Sequence, residues 1–205
     1  DLVLGKARRR GFSFKNASVA VCNFFHRPHS YTMLIAYEKK YLFPGKKTIF
    51  GKCKEYINFV NEHTAWKMPS DYINTQQHIR ASYKETKDGV DIEKGFMSEI
   101  EAISFKDNPD AGRGADAYDI IGEEVGAWGT PGGLKNTIAA MRSSSDAGMF
   151  KTGMMTMFGT SGDMEGGTVD FADLFRRPKA NGFMSFKDRW GKFKEKVEGF
   201  FFPKH

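Results

Sequence analysis

The feature that most constrains the fold lies at the start of the chain, where a short apolar stretch runs directly into a basic loop. Residues 1–6 have the composition of a strand, and the loop that follows reads Ala7-Arg8-Arg9-Arg10-Gly11-Phe12-Ser13. Residues 13–25 then have the composition of a helix, which the proline rule ends near Arg27-Pro28. A strand, a loop and a helix in this order predict a βα unit with the loop at the carboxyl end of the strand.

This loop has the frame of a phosphate-binding loop, which is usually glycine, four residues, glycine, lysine and then serine or threonine. Phe12 stands where the lysine is expected, and Lys6 stands where the first glycine is expected. A triphosphate needs main-chain N–H groups, a helix N-terminus, a cation and a magnesium ligand. The predicted phosphate-binding residues are Lys6, Arg8, Arg9, Arg10, Gly11, Phe12 and Ser13, with Ser13 also a Mg²⁺ ligand. The alternative is a basic strand-to-helix turn that binds no ligand.

A second signal is an apolar run that ends in two acids, Ile120-Ile121-Gly122-Glu123-Glu124. In nucleotide hydrolases one such acid holds Mg²⁺ and another residue orients or activates water. Adjacent residues of a strand point in opposite directions, so the pair should lie just past the strand end, where the chain turns. The pattern predicts Glu123 as a Mg²⁺ ligand and Glu124 as the catalytic base; the alternative is an exposed acidic turn.

A third signal is the apolar stretch 152–159, which ends in small hydroxyl residues. A polar residue at the end of such a strand can sense the γ-phosphate. Thr160 and Ser161 are therefore candidates for that role. A plain strand followed by a glycine turn is the alternative.

The remaining patterns extend the alternation of strands and helices. Strands are predicted at 32–37, 79–85, 99–105 and 117–122, and helices at 48–63, 134–142 and 168–175. Lys87-Asp88-Gly89 and the polar stretch after it would join two of these strands as a long hairpin. The predicted fold class is α/β, a mostly parallel sheet flanked by helices with an antiparallel hairpin added. Residues 1–184 would form this domain and residues 185–205 a basic, aromatic tail.

Composition limits the class of protein and of partner. The 205 residues are 40% apolar and 27% charged, which suits a globular domain with a core. The net charge of +6 favours a polyanionic partner, although a solvated basic surface is an equal alternative. The two cysteines form no disulfide framework, which fits a reducing cytosol, and no apolar run is long enough to span a membrane. The abrupt start suggests a piece of a longer polypeptide.

The three motifs, in this order, resemble the ATPase domain of the large terminase subunit, the DNA-packaging motor of tailed bacteriophages. In lambda-type terminases the working lysine begins the loop, separated by four residues from a Gly-aromatic-Ser triplet, as Lys6 is from Gly11-Phe12-Ser13. The segment 105–114 and the run Glu123-Glu124-Val125-Gly126 are also similar to family segments. The run Gly159-Thr160-Ser161-Gly162-Asp163 resembles the family's coupling motif, which implies that Thr160 and Ser161 couple hydrolysis to movement. Phe12 in place of the loop lysine and Glu123 in place of aspartate are departures from the commonest pattern.

The resemblance implies a P-loop NTPase of the ASCE type that uses ATP and Mg²⁺. It implies that Arg113 reaches a neighbouring subunit's site as an arginine finger, with a plain surface arginine as the alternative. The implied partners are double-stranded DNA, a portal protein and a small terminase subunit, around a homo-oligomeric ring with no membrane. The implied location is the host-cell cytoplasm, transiently on the procapsid. The family's nuclease domain would follow the tail, and its adenine-contacting segment would precede the first strand.

Three other functions fit parts of the sequence. A metal-dependent nuclease would use the carboxylates of Asp163, Glu165, Asp170 and Asp173. A non-catalytic DNA-binding module would keep the fold without turnover. A helicase-like ATPase from outside phages would share the same fold.

Overall fold

The computed structural model describes residues 1–7, 9–106, 111–112, 114–129, 133–147, 150–160, 168–187 and 197–202 of the chain. The helices within these residues are α1 (Phe12–His26), α2 (Lys39–Leu42), α3 (Ile49–His63), α4 (Gly133–Arg142) and α5 (Thr168–Arg176). The strands are β1 (Leu2–Lys6), β2 (Tyr31–Ala36), β3 (His78–Lys87), β4 (Val90–Ser104), β5 (Asp119–Gly122), β6 (Asp146–Ala147), β7 (Phe150–Lys151), β8 (Met154–Gly159), β9 (Phe186–Lys187), β10 (Val197–Glu198) and β11 (Phe200–Phe202). Short 3₁₀ turns cover Val125–Ala127 and Lys179–Asn181.

The described strands build one large, mostly parallel sheet. Its order is β11-β1-β8-β5-β2-β4-β3, and every neighbouring pair is parallel except β3 with β4. Strand β8 is inserted between β1 and β5, the strands that lead into the basic loop and the acid pair. This arrangement confirms the predicted α/β fold with an antiparallel addition.

The two faces of the sheet bury two separate apolar layers. In β2, Leu34 packs into the layer under α1 and α3, whereas Met33 and Ile35 pack into the layer under α4 and α5. Since both faces are covered, the central strands read as uninterrupted apolar runs rather than as alternating ones. Each large side chain buried in this way contributes about 1.5–3 kcal/mol.

The hairpin is longer than the sequence pattern predicted. β3 and β4 meet at a two-residue Asp88-Gly89 turn, with Lys87 paired to Val90. The polar stretch after Gly89, predicted as part of the connection, is therefore strand, and that prediction was wrong. Residues 90–97 of β4 pair only with β3 and are largely exposed, so their polarity reflects solvent on both faces and not a turn.

Residues 200–202 join the sheet as β11. β11 pairs in parallel with β1, with Leu4 opposite Phe200 and Lys6 opposite Phe202. Part of the predicted tail thus supplies an edge strand, while the division at residue 184 stays a prediction. Among the described helices, none combines the length and the apolarity needed to cross a membrane.

Candidate active site

The predicted motifs meet at one edge of the sheet because their strands are parallel neighbours. Gly5 of β1 lies opposite Gly159 of β8, and Gly122 of β5 lies opposite Met157 of β8. The carboxyl ends of these strands therefore lie side by side, where open α/β sheets bind ligands. The basic loop leaves β1 here, the acid pair follows β5, and Thr160 follows β8.

Lys6 and Glu124 form an ion pair across this edge. The Lys6 Nζ lies 2.7 Å from Glu124 Oε1, and the two side chains are 7% and 23% exposed. Thr160 holds the other carboxylate oxygen, since its hydroxyl and its main-chain N–H donate to Glu124 Oε2 at 3.1 and 3.4 Å. A cation, a carboxylate and a hydroxyl from three different strand ends thus form one hydrogen-bonded group.

The backbone conformation after β5 directs the side chains of Glu123 and Glu124 towards different partners. Glu124 adopts a left-handed conformation, φ 48° and ψ 47°, which an L-residue adopts at a cost of about 1–2 kcal/mol. The next turn passes so close to β8 that a Cβ on Gly126 would lie 2.1 Å from the carbonyl oxygen of Thr160. Gly126 therefore lets the turn that carries Glu124 rest against the end of β8.

Glu123 lies on the other side of the loop and faces α1. The Ser13 hydroxyl donates to Glu123 Oε1 at 2.9 Å, and the other oxygen, Oε2, is buried without a hydrogen-bond partner. Burial raises the pKa of the Glu123 carboxyl to about 7, which the Ser13 hydrogen bond and the Lys6 charge only partly offset. An incompletely satisfied carboxylate beside a serine hydroxyl is a set of oxygen donors suited to Mg²⁺.

The N-terminus of α1 lies beside this pair and has no side-chain cap. Gly11 precedes the helix with φ 70°, in the left-handed region that glycine adopts without strain. Arg10 Nε is buried and lacks a hydrogen-bond partner. An uncapped helix N-terminus with a cation beside it favours an anion.

The side chains of two predicted phosphate-binding residues, Phe12 and Arg9, lie in different surroundings. The Phe12 side chain is 6% exposed and its ring centroid lies 6.1 Å from that of Phe158, so it belongs to the core. What Phe12 can offer a phosphate is its main-chain amide. Lys6 Nζ lies 5.6 Å from the centroid of the same Phe158 ring. Arg9 is exposed and has φ 63°.

The structure adds one cation that the motifs did not indicate. Lys52 of α3 is only 8% exposed, its ammonium donates to the Lys47 carbonyl, and it lies 5.1 Å from the centroid of the Phe14 ring. Burial lowers the pKa of Lys52, while the Glu123 charge raises it. A single lysine within a helix gives no sequence signal that it will lie near this site. Only the packing of α3 on α1 brings Lys52 there.

Several predicted site residues lie outside the described ranges, namely Arg8, Arg113, Ser161, Asp163 and Glu165. The other two proposed nuclease acids have structural partners. Asp170 accepts from the Leu134 N–H at 3.2 Å, and Asp173 pairs with Lys135 at 2.6 Å, so both join α5 to the start of α4. Over the part of the chain that the structure describes, no three His, Cys, Asp or Glu side chains are grouped to hold a metal.

Comparison with known proteins identifies the fold. No protein-family model and no curated protein matches the sequence. The large terminase ATPase domain of Thermus phage P74-26 matches with a TM-score of 0.59 and 18% identity, over 93% of this chain and 66% of that one. The chain has the fold of a phage large-terminase ATPase domain. This finding confirms the resemblance predicted from the motifs at the level of the fold.

Two further terminase structures agree. An alanine mutant of the P74-26 domain matches with a TM-score of 0.57 and 19% identity, over 84% of this chain and 63% of that one. The HK97 bacteriophage large terminase matches with a TM-score of 0.54 and 11% identity, over 94% of this chain and 36% of that one. The chain thus spans less than two thirds of the length of each terminase structure.

Proposed function

We propose that this chain is the ATP-hydrolysing motor domain of a phage large terminase. The observation that carries the proposal is the meeting of Lys6, Glu124 and Thr160 beside the Ser13–Glu123 pair, at an uncapped helix N-terminus in a terminase-like fold. These are the groups that phosphoryl transfer needs, because its catalysis rests on positioning and on stabilising charge.

The residues at the site fit a magnesium-bound triphosphate. Ser13 Oγ and the buried, unsatisfied Glu123 Oε2 would hold Mg²⁺, which supplies charge neutralisation and a Lewis acid when bound. The main-chain amides at the start of α1, together with Arg10, would take the phosphate oxygens. Arg8 and Arg9 would add positive charge to the same loop.

Lys6 and Glu124 would exchange partners when phosphate binds. The Lys6 ammonium would turn from Glu124 to the β- and γ-phosphates, which carry more negative charge than one carboxylate. Glu124 would then be free to accept a proton from the attacking water. Thr160 and Ser161 would couple this change to the end of β8, since Thr160 is hydrogen-bonded to the same carboxylate.

The assembled motor would move double-stranded DNA into a procapsid. A homo-oligomeric ring would hold the DNA by its phosphates, with a portal protein and a small terminase subunit as partners in the host-cell cytoplasm. Arg113 would complete the neighbouring subunit's site. In a mixing experiment, Arg113→Ala subunits should keep working sites of their own and impair their neighbours.

ATP hydrolysis with and without DNA tests the proposal. Wild type should hydrolyse ATP with Mg²⁺, whereas Lys6→Ala should lose both nucleotide affinity and turnover. Glu124→Gln should bind ATP and turn over slowly, with a loss of about 10²–10³ in kcat. Lys67→Ala removes an exposed lysine that follows the C-terminal end of α3, and it should match wild type. Equal rates in all four proteins would remove the hydrolase assignment and leave a non-catalytic DNA-binding module.

A further inference from the structure

The segment between β2 and the first turns of α3 is unusually basic. Residues 39–54 include no acid and six lysines, which are Lys39, Lys40, Lys46, Lys47, Lys52 and Lys54. The segment leaves the carboxyl end of β2, and Ile35 of β2 lies opposite Gly122 of β5. It therefore occupies the same edge of the sheet as the acid pair.

Lys46 and Lys47 are the exposed cations of the α2–α3 loop, residues 43–48. Neither forms an ion pair with a described residue, whereas Lys40 pairs with Glu38 at 2.9 Å and Lys54 donates to the Thr75 carbonyl at 2.6 Å. Two adjacent, unneutralised lysines on a loop are available to an outside anion without loss of an internal partner.

A cleft of about 320 Å³ lies against this loop. Its lining is mostly apolar, with Phe43, Pro44 and Phe50 among the lining residues. The polar residues of the lining are Lys46, Thr48, Lys54, Glu55, Asn58 and Gln76. Ammonium and amide groups are the donors that proteins use for phosphate and sugar oxygens of DNA. The cleft thus adjoins the basic loop and includes lysine and amide residues within a mostly apolar lining.

A hydrogen bond from α3 holds the α2–α3 loop near the proposed nucleotide site. The buried Lys52 ammonium donates to the Lys47 carbonyl, and it lies over Phe14, the residue after Ser13. The main chain of the loop therefore has a fixed position relative to the start of α1.

We propose that the α2–α3 loop and its cleft form a contact surface for the phosphate backbone of double-stranded DNA, with Lys46 and Lys47 as its exposed cations. The inference rests on the proposed motor function and adds the place where this chain would hold its DNA. Contacts of this kind carry no sequence preference, and each neutralised phosphate releases counterions, so binding weakens steeply with salt.

The test is duplex binding by fluorescence anisotropy across a salt series, without nucleotide, for wild type and Lys46→Ala/Lys47→Ala. The variant should bind roughly tenfold more weakly, and its slope of log affinity against log salt should be shallower by about 2, one for each lost contact. The loss should be the same for unrelated duplex sequences. Its ATPase rate without DNA should equal that of wild type.

The matched control is Lys67→Ala/Lys87→Ala, which removes the same charge from two exposed lysines. Lys67 follows the C-terminal end of α3, a helix about 22 Å long whose N-terminal end adjoins the α2–α3 loop. Lys87 adjoins the β3–β4 hairpin turn, which lies at the amino ends of the parallel strands, opposite the edge that carries the acid pair. The control should bind DNA like wild type. An equal loss in both double variants, or no loss in Lys46→Ala/Lys47→Ala, overturns the proposed surface.

The two arms separate this inference from the motor proposal. Normal hydrolysis with unchanged duplex binding in Lys46→Ala/Lys47→Ala would reject the surface alone. Weakened duplex binding in that variant, with no hydrolysis by wild type, would reject the motor alone.

Discussion

The ion pair between Lys6 and Glu124 allows stability and activity to be separated in one experiment. The perturbation is Lys6→Met, which keeps the length and apolar stem of the side chain and removes the charge. Glu124 would keep its hydrogen bonds from Thr160 but lose its counter-charge, and the nearby Glu123 carboxyl would lose the same cation.

The magnitude follows from burial. Breaking a buried pair from one side costs about 3–5 kcal/mol, because the remaining charge is left unpaired. The Glu124 side chain is 23% exposed, so water offsets part of this cost, and we expect a loss of about 2–3 kcal/mol. In a domain of this size, that is a fall in Tm of roughly 5–10 °C.

The assay is a double-mutant cycle followed by urea unfolding, with ATP hydrolysis measured on the same samples. Adding Glu124→Gln to Lys6→Met removes the unpaired charge, so most of the lost stability should return, with a coupling of about 2 kcal/mol. Hydrolysis should not return, since the phosphate cation and the base are then both absent. Lys84→Met breaks the exposed pair with Asp91 and should leave unfolding almost unchanged.

Two results would refute this reasoning. If Lys6→Met unfolds like wild type, or if Glu124→Gln brings no recovery, the two side chains are not paired in solution. If the double variant regains hydrolysis together with stability, the chemical roles assigned to Lys6 and Glu124 are wrong.

Three further outcomes are expected. Glu123→Gln should weaken Mg²⁺-dependent ATP binding at least about tenfold, as measured by calorimetry with and without EDTA, because a neutral amide is a poorer ligand for Mg²⁺. Gly126→Ala should destabilise the fold by about 1–3 kcal/mol and slow hydrolysis, since its Cβ would lie 2.1 Å from the Thr160 carbonyl oxygen and push Thr160 from Glu124. Burial raises the pKa of Asp119 to about 6, so the folded state holds this proton more tightly than the unfolded state. Its contribution to stability should be full below about pH 4 and lost as pH rises through 6, a loss of about 3 kcal/mol. Asp119→Asn should abolish this loss in urea titrations, whereas the exposed Asp116→Asn should not.

The local patterns of the sequence predicted the parts of the site that follow strand ends. An apolar run followed by a charged or glycine-containing segment marks a strand and its loop, and parallel strands bring such loops to one edge. Lys6, Ser13, Glu123 and Glu124 could therefore be named before any contact was known. The mostly parallel sheet followed from the same alternation.

Tertiary structure alone decided how those residues are paired and which others join them. Lys6 and Glu124 are 118 positions apart, and their contact depends on the insertion of β8 between their strands and on the left-handed turn at Glu124. Lys52 reaches the site only through the packing of α3 on α1. The sequence likewise did not indicate the polar half of β4 or the pairing of β11 with β1. Strand pairing depends on partners that are distant in sequence, whereas local composition reports only whether a segment is exposed.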